Sequence, residues 1–111
     1  MKTSYKIFLD SQLGVREGKL ALNTEEGKVD GIMTLLEFDN LIKGEYVGQI
    51  YHLRHSLHTM TRELFCNTTF EIVGDELSGI IETENARMKL WGHKIYDEKH
   101  LERGEKRECQ K

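Results

Sequence analysis

The stretch Phe70-Glu-Ile-Val-Gly-Asp-Glu-Leu-Ser-Gly-Ile-Ile81 decides the fold that this sequence predicts. Apolar and polar residues alternate on both sides of Gly74-Asp75, and a two-residue loop of this kind favours the primed turns of β-hairpins. The turn places Phe70 opposite Gly79 on the apolar face. The stretch therefore predicts two half-buried antiparallel strands.

Turn signals recur about every ten residues on both sides of this hairpin, the spacing of an antiparallel meander. The predicted fold is all-β: an eight-stranded antiparallel up-and-down meander closed into a small barrel, with a charged C-terminal tail. Strands are expected over 4–10, 15–23, 28–37, 41–47, 50–58, 63–73, 76–84 and 87–95. The barrel forms one domain, residues 1–95. Residues 96–111 form the tail, which is either solvated or a short helix.

Five glycines of the predicted strands share the inner, apolar face: Gly18, Gly31, Gly44, Gly79 and Gly92. A glycine weakens a strand unless the strand bends there or another group approaches closely. The pattern predicts a barrel with a narrow interior. The glycines either leave room for a ligand or let the barrel curl more tightly.

Three further turns set the register of neighbouring strands. A loop at Asn85-Ala86 sets Glu82 opposite Lys89, and a loop over 24–27 sets Leu22 opposite Val29. A turn at Phe38-Asp39 sets Leu35 opposite Ile42. A shift of one residue in the pairing register would expose all the inward apolar side chains of a strand to water. Because the apolar residues of neighbouring hairpins fall on the same face, the pattern supports a barrel.

Composition limits the classes of function. The net charge of −3 and the pI near 5.9 argue against a nucleic-acid partner, whose binders carry a basic patch. No apolar run is long enough for a membrane helix, and the N-terminus has no signal-peptide core. No CxxC occurs and no Cys/His spacing resembles a zinc site. We expect a cytoplasmic protein with no membrane partner, no metal and no cofactor.

The meander with inward glycines, together with the segments Gly27-Lys-Val-Asp-Gly31 and Leu77-Ser-Gly79, resembles the calycin-type barrels. These include lipocalins, fatty-acid-binding proteins and avidins. The resemblance implies one small hydrophobic or planar ligand inside the barrel. The lipocalin Gly-x-Trp is absent near the N-terminus, and the chain has one tryptophan where an avidin has several. No individual binding residue is therefore carried over.

Polar side chains at inward positions define the predicted ligand site. Small-molecule sites combine a mostly apolar wall with a few polar groups. The predicted ligand-binding residues of the interior are Tyr5, Met33, Tyr46, Tyr51, Leu53, His55, Cys66, Thr68 and Thr83. His55 and Cys66 are also expected to face each other across two strands. A thiol beside an imidazole can ionise, so an enzyme or a redox-responsive protein is the alternative.

Two further sets of residues bear on metal binding and on assembly. His52, His55 and His58 lie on one predicted strand, but successive strand side chains point to opposite faces, so they form no metal site. On the outer face, Trp91 is expected opposite Ile80 and beside Phe8, and these three residues predict a homodimer interface. The leading hypothesis is a non-catalytic small-molecule-binding barrel. A protein–protein interaction module with a filled barrel is its alternative.

Overall fold

The computed structural model describes residues 1–96. It is a closed barrel in which each strand pairs with its sequence neighbours and the last strand pairs with the first. The strands are β1 (Lys2–Ser11), β2 (Gly14–Glu25), β3 (Lys28–Leu35), β4 (Phe38–Val47), β5 (Ile50–His58), β6 (Glu63–Val73), β7 (Glu76–Glu82) and β8 (Arg87–Ile95). The predicted eight-stranded antiparallel barrel is confirmed. Apart from Tyr96, the predicted tail lies outside the described residues.

The inner face has the predicted register where the turns were correctly placed. Phe70 pairs with Gly79 across β6 and β7, and Tyr51 pairs with Phe70 across β5 and β6. His55 pairs with Cys66 as expected. The core is one apolar cluster, with Ile7, Leu20, Met33, Phe70 and Ile81 almost fully buried. The alternation of apolar and polar residues along each strand was therefore sufficient to assign side chains to the inner or the outer face of the barrel.

Three predicted turns are wrong, and the strand pairs that they connect differ from the prediction in register, although not in face. Glu82 pairs with Arg87 instead of Lys89, because the Thr83 hydroxyl accepts hydrogen bonds from the Asn85 and Ala86 amides and holds a longer loop. That shift sets Trp91 opposite Ser78, so the predicted pairing of Trp91 with Ile80 is wrong.

The other two shifts come from turns with positive φ. Leu22 pairs with Gly31 instead of Val29, because Glu26 and Gly27 form the two-residue turn. Leu35 pairs with Phe38 instead of Ile42, because the turn lies at Leu36-Glu37, where φ is 56° and 72°. Two-residue turns with positive φ favour asparagine, aspartate and glycine, so Leu36-Glu37 could not be recognised as such a turn from the sequence.

The inward glycines allow close approach of neighbouring strands. A Cβ on Gly44 would overlap the backbone carbonyl of His52, and one on Gly31 would overlap that of Ala21. The glycines therefore let the barrel curl tightly, the second of the two roles considered for them. The resulting interior is narrow and filled at mid-height by core side chains.

The meander gives the barrel two unlike ends. One end carries the β1–β2, β3–β4, β5–β6 and β7–β8 turns, and we call it the mouth. The opposite end carries the remaining turns and the inward tyrosines Tyr5, Tyr46 and Tyr51, and we call it the tyrosine end. Residues 1–96 contain no helix that is long and apolar enough to cross a bilayer.

Candidate functional site

The mouth contains an open cavity of about 550 Å³. Its floor is the top of the barrel core, where Leu9 and Leu57 are fully buried and Leu64 and Met88 are partly buried. Its rim includes two highly exposed apolar side chains, Leu13 at 84% and Met60 at 85%. Hydroxyl and amide groups complete the lining: Ser11, Gln12, Thr59, Thr61, Thr83 and Asn85. This is the mixture of apolar wall and few polar groups found in small-molecule sites.

Two arginines line this cavity, and no acidic residue does. Arg16 lies directly opposite the buried Leu9 in the β1–β2 ladder, so both residues belong to the inner face. Arg62 closes the β5–β6 turn, where its carbonyl accepts the Thr59 amide, and precedes the inward Leu64 by two residues. Both guanidinium groups are exposed. Within residues 1–96 neither of them forms a salt bridge.

The tyrosine end is packed with aromatic rings. Tyr46 stacks on Tyr51 and Tyr51 stacks on Phe70, each with 5.1 Å between ring centroids. Burial, followed by the proximity of Tyr51 and Asp75, raises the pKa of Tyr5. Burial, followed by Tyr46, raises the pKa of Tyr51. Tyr5 and Tyr51 therefore stay protonated at neutral pH.

His55 lies on the inner face at mid-barrel and is 4% exposed. Its Nδ1 lies 3.0 Å from the Ser56 carbonyl oxygen, which can only accept, so Nδ1 carries the proton. Its Nε2 then accepts a hydrogen bond of 2.7 Å from the Thr68 hydroxyl. Burial lowers the pKa of His55, so the imidazole is neutral. Both of its ring nitrogens form hydrogen bonds. It has no ring nitrogen left to activate a thiol.

Cys66 is fully buried, and burial raises its pKa to about 11. A nucleophilic cysteine needs the opposite shift, since the thiolate is the reactive form. The Cys66 thiol points towards the Leu64 carbonyl oxygen at 3.9 Å. His55 and Cys66 do face each other across β5 and β6, but both side chains are packed in the core in their neutral forms.

The predicted interior residues lie in three places. Met33, Leu53, His55, Cys66 and Thr68 are buried at mid-barrel, and the tyrosines lie at the tyrosine end. Of the nine predicted residues, Thr83 alone lines the mouth cavity. The mouth arginines were missed, although Arg16 precedes the inward Gly18 by two residues and shares its face. Extending the inward–outward alternation of β2 from Gly18 back to position 16 would have assigned Arg16 to the inner face.

A buried asparagine was also missed, because β4 begins earlier than predicted. Asn40 is 1% exposed, and its side-chain amide donates to the Met33 carbonyl at 3.1 Å. Its Oδ1 accepts from the His58 backbone amide at 3.0 Å and from the His58 ring Nδ1 at 2.7 Å. Asn40 thereby ties β3, β4 and β5 together just below the Leu36-Glu37 turn at the mouth.

The outer face carries the aromatic pair expected from closure of the barrel. Phe8 lies opposite Trp91 in the β1–β8 ladder, and their rings stack with 6.0 Å between centroids. Trp91 remains 37% exposed. A groove of about 650 Å³ runs beside it between β7 and β8, and it includes Ile80 and Lys89. All three predicted interface residues thus lie on neighbouring strands.

The histidines of β5 do not converge. His52 contacts the Thr69 hydroxyl at 3.1 Å on the outer face, and His58 lies near Glu63, whereas His55 points inward. Among residues 1–96, no group of three or more His, Cys, Asp or Glu side chains is arranged to hold a metal ion.

Comparison with known proteins identifies a similar fold. No family model matches the sequence, and no curated protein matches it. Among solved structures, a redesigned β-barrel, mFAP1, bound to DFHBI, is similar with a TM-score of 0.61 and 10% sequence identity. The match covers 84% of this chain and 92% of that one. At this identity the similarity shows the fold alone: a small closed barrel with eight antiparallel strands.

Proposed function

We propose that this protein binds a small, largely apolar molecule in the mouth of the barrel and does not convert it chemically. The observation that carries the proposal is the cavity of about 550 Å³ that opens onto the barrel core. Ligand sites commonly measure about 300–1,000 Å³, so a small organic molecule fits there. Support by analogy comes from mFAP1, the similar barrel whose structure holds DFHBI.

The exposed apolar side chains at the rim support the same proposal. Leu13 and Met60 lie on two neighbouring turns and line the same cavity. Exposing them to water costs free energy that a bound apolar molecule would recover, at about 25 cal/mol per Å² of apolar surface buried. The site is proposed as a binding site because the buried thiol and the fully hydrogen-bonded imidazole offer no activated nucleophile.

The test is a fluorescence titration with phenylnaphthylamine, an uncharged dye that emits strongly when it leaves water. Met88 is partly buried in the cavity wall, so Met88→Trp should fill the cavity and abolish binding. Val47 is 81% exposed on the outer face, and Val47→Trp is the matched control that should bind normally. Thermal melts establish that both variants are folded. Equal binding by the two folded variants would refute the mouth as the site.

A second function is favoured by the stacked pair of Phe8 and Trp91. An exposed aromatic pair beside a groove is typical of a protein-contact surface, and a homodimer through β7, β8 and β1 is the proposed assembly. Sedimentation of the wild type and of Trp91→Glu tests it, with Val73→Glu, at another exposed outer position, as control. A monomeric wild type would refute this assembly.

A further inference from the structure

We infer that the mouth selects ligands that carry one anionic group, held between Arg16 and Arg62, with the apolar part directed at the barrel core. This inference rests on the proposed function and deepens it by naming the ligand class. The class is a small organic acid with an apolar body, whose acid is a carboxylate, a sulfonate or a phosphate. A phospholipid with two long acyl chains exceeds the cavity of about 550 Å³.

Two positive charges line this cavity. An arginine in the wall of a cavity places a planar, charged hydrogen-bond donor beside any molecule bound there. Arg16 shares the inner face with Leu9, and Arg62 continues the inner face of Leu64 into the turn. Both line the same cavity as the apolar floor, from separate parts of the barrel: Arg16 from β2 and Arg62 from the β5–β6 turn.

The carboxylates next in sequence to the two arginines lie outside the cavity. Glu17 follows Arg16 in sequence but lies on the outer face, where Lys6 Nζ binds its carboxylate at 3.1 Å. Glu63 follows Arg62 but lies beside His58 Nε2 at 3.5 Å, also outside the cavity. Both acidic neighbours thus have other partners, and the arginines form no salt bridge within residues 1–96.

The remaining lining is polar as well as apolar. Thr59 and Thr83 line the cavity, and their hydroxyl groups bond the turn backbone: the Thr59 hydroxyl donates to the Arg62 carbonyl, and the Thr83 hydroxyl accepts from the Ala86 amide. A guanidinium group presents planar paired donors that match a carboxylate, a sulfonate or a phosphate, and charge-assisted hydrogen bonds are stronger than neutral ones. The lining thus combines two cationic side chains with apolar side chains at the rim and the floor, which matches an amphiphile that carries one acid.

The experiment compares two dyes of nearly the same shape. Anilinonaphthalene sulfonate carries one sulfonate, and phenylnaphthylamine is its uncharged counterpart. We expect the wild type to prefer the sulfonate, and we expect Arg16→Gln and Arg62→Gln each to weaken sulfonate binding by about threefold to tenfold. Binding of the uncharged dye should not change. Arg16→Lys should recover part of the loss, since it restores the charge without the planar fork.

The matched control is Arg54→Gln. Arg54 lies on the outer face of β5, where its guanidinium binds the Glu45 carboxylate at 2.9 Å. That variant removes the same net charge and should leave the preference between the two dyes unchanged. Equal loss of sulfonate binding in Arg54→Gln would show a general charge effect and would overturn the inference.

The two proposals fail in distinguishable ways. If neither dye binds, the proposed function is refuted. If the uncharged dye binds and the arginine variants leave the preference unchanged, the anion inference is refuted and the proposed function stands. Inorganic phosphate is compared with sodium chloride at equal ionic strength. Phosphate should leave the sulfonate dye bound, because the apolar part contributes to affinity. Displacement by phosphate alone would overturn the assignment to an amphiphile.

Discussion

Arg16 pairs with Leu9 across the β1–β2 ladder, so an exposed arginine and a fully buried leucine share the inner face at the mouth of the barrel. Core side chains fill the interior at mid-barrel, whereas the mouth is open and carries positive charge. At the tyrosine end, aromatic rings stack on one another.

The buried imidazole predicts a pH dependence of stability. Burial lowers the pKa of His55 in the folded state, whereas a histidine of the unfolded chain takes up its proton near pH 6.5. The unfolded state thus binds more protons as pH falls below about 6.5, and the free energy of unfolding decreases until pH reaches the lowered folded pKa. The limiting slope is about 1.4 kcal/mol per pH unit.

Urea unfolding of the wild type and His55→Gln between pH 7 and pH 5 measures this effect, since glutamine can still bond Thr68. We expect a shallower slope in the variant. His52→Gln, at an exposed position of the same strand, should keep the wild-type slope. Parallel curves for the wild type and His55→Gln would contradict the neutral, buried imidazole.

The buried thiol predicts slow alkylation. In a Cys109→Ser protein, where Cys66 is the remaining cysteine, iodoacetamide should react slowly with the folded state at neutral pH and rapidly in denaturant. Phe65→Cys in a chain without the two native cysteines is the control, since position 65 is 60% exposed. Equally fast labelling of folded Cys66 would instead support the enzyme alternative.

The Leu36-Glu37 turn predicts a stabilising substitution. A non-glycine residue in the left-handed region costs about 1–2 kcal/mol, and Glu37 has φ of 72°. Glu37→Gly should raise the free energy of unfolding by about 0.5–1 kcal/mol, the remainder being lost to the entropy of glycine in the unfolded chain. Glu71→Gly, at an exposed position within β6, should lower it instead. Destabilisation by both would show that the turn is unstrained.

The inward glycines predict a strong response to a single methyl group. Gly44→Ala would place its Cβ against the His52 carbonyl, and we expect a loss of about 3 kcal/mol, measured by urea unfolding. Gly48 lies in a turn with open space around it and φ of 62°, a conformation that asparagine tolerates. Gly48→Asn should therefore cost much less. Similar losses at the two positions would argue against close strand approach.

The inner face was predictable because alternation repeats through every strand and the Gly74-Asp75 turn fixes its phase. The turns at Leu36-Glu37 and Glu26-Gly27 were not, since tertiary closure forces φ values that Leu36 and Glu26 do not favour. The mouth was missed for another reason. Its lining comes from four separate turns, and only the closed barrel brings those turns to one end.

The most direct test of the account is a map of amide chemical shifts during titration with phenylnaphthylamine. We expect the shifts to cluster at Leu9, Leu57, Thr83 and Met88, with little change at Tyr46 and Tyr51. Saturable shifts centred on the tyrosine end or on the groove beside Trp91 would contradict the mouth as the binding site. An absence of shifts at dye saturation would contradict the proposed function itself.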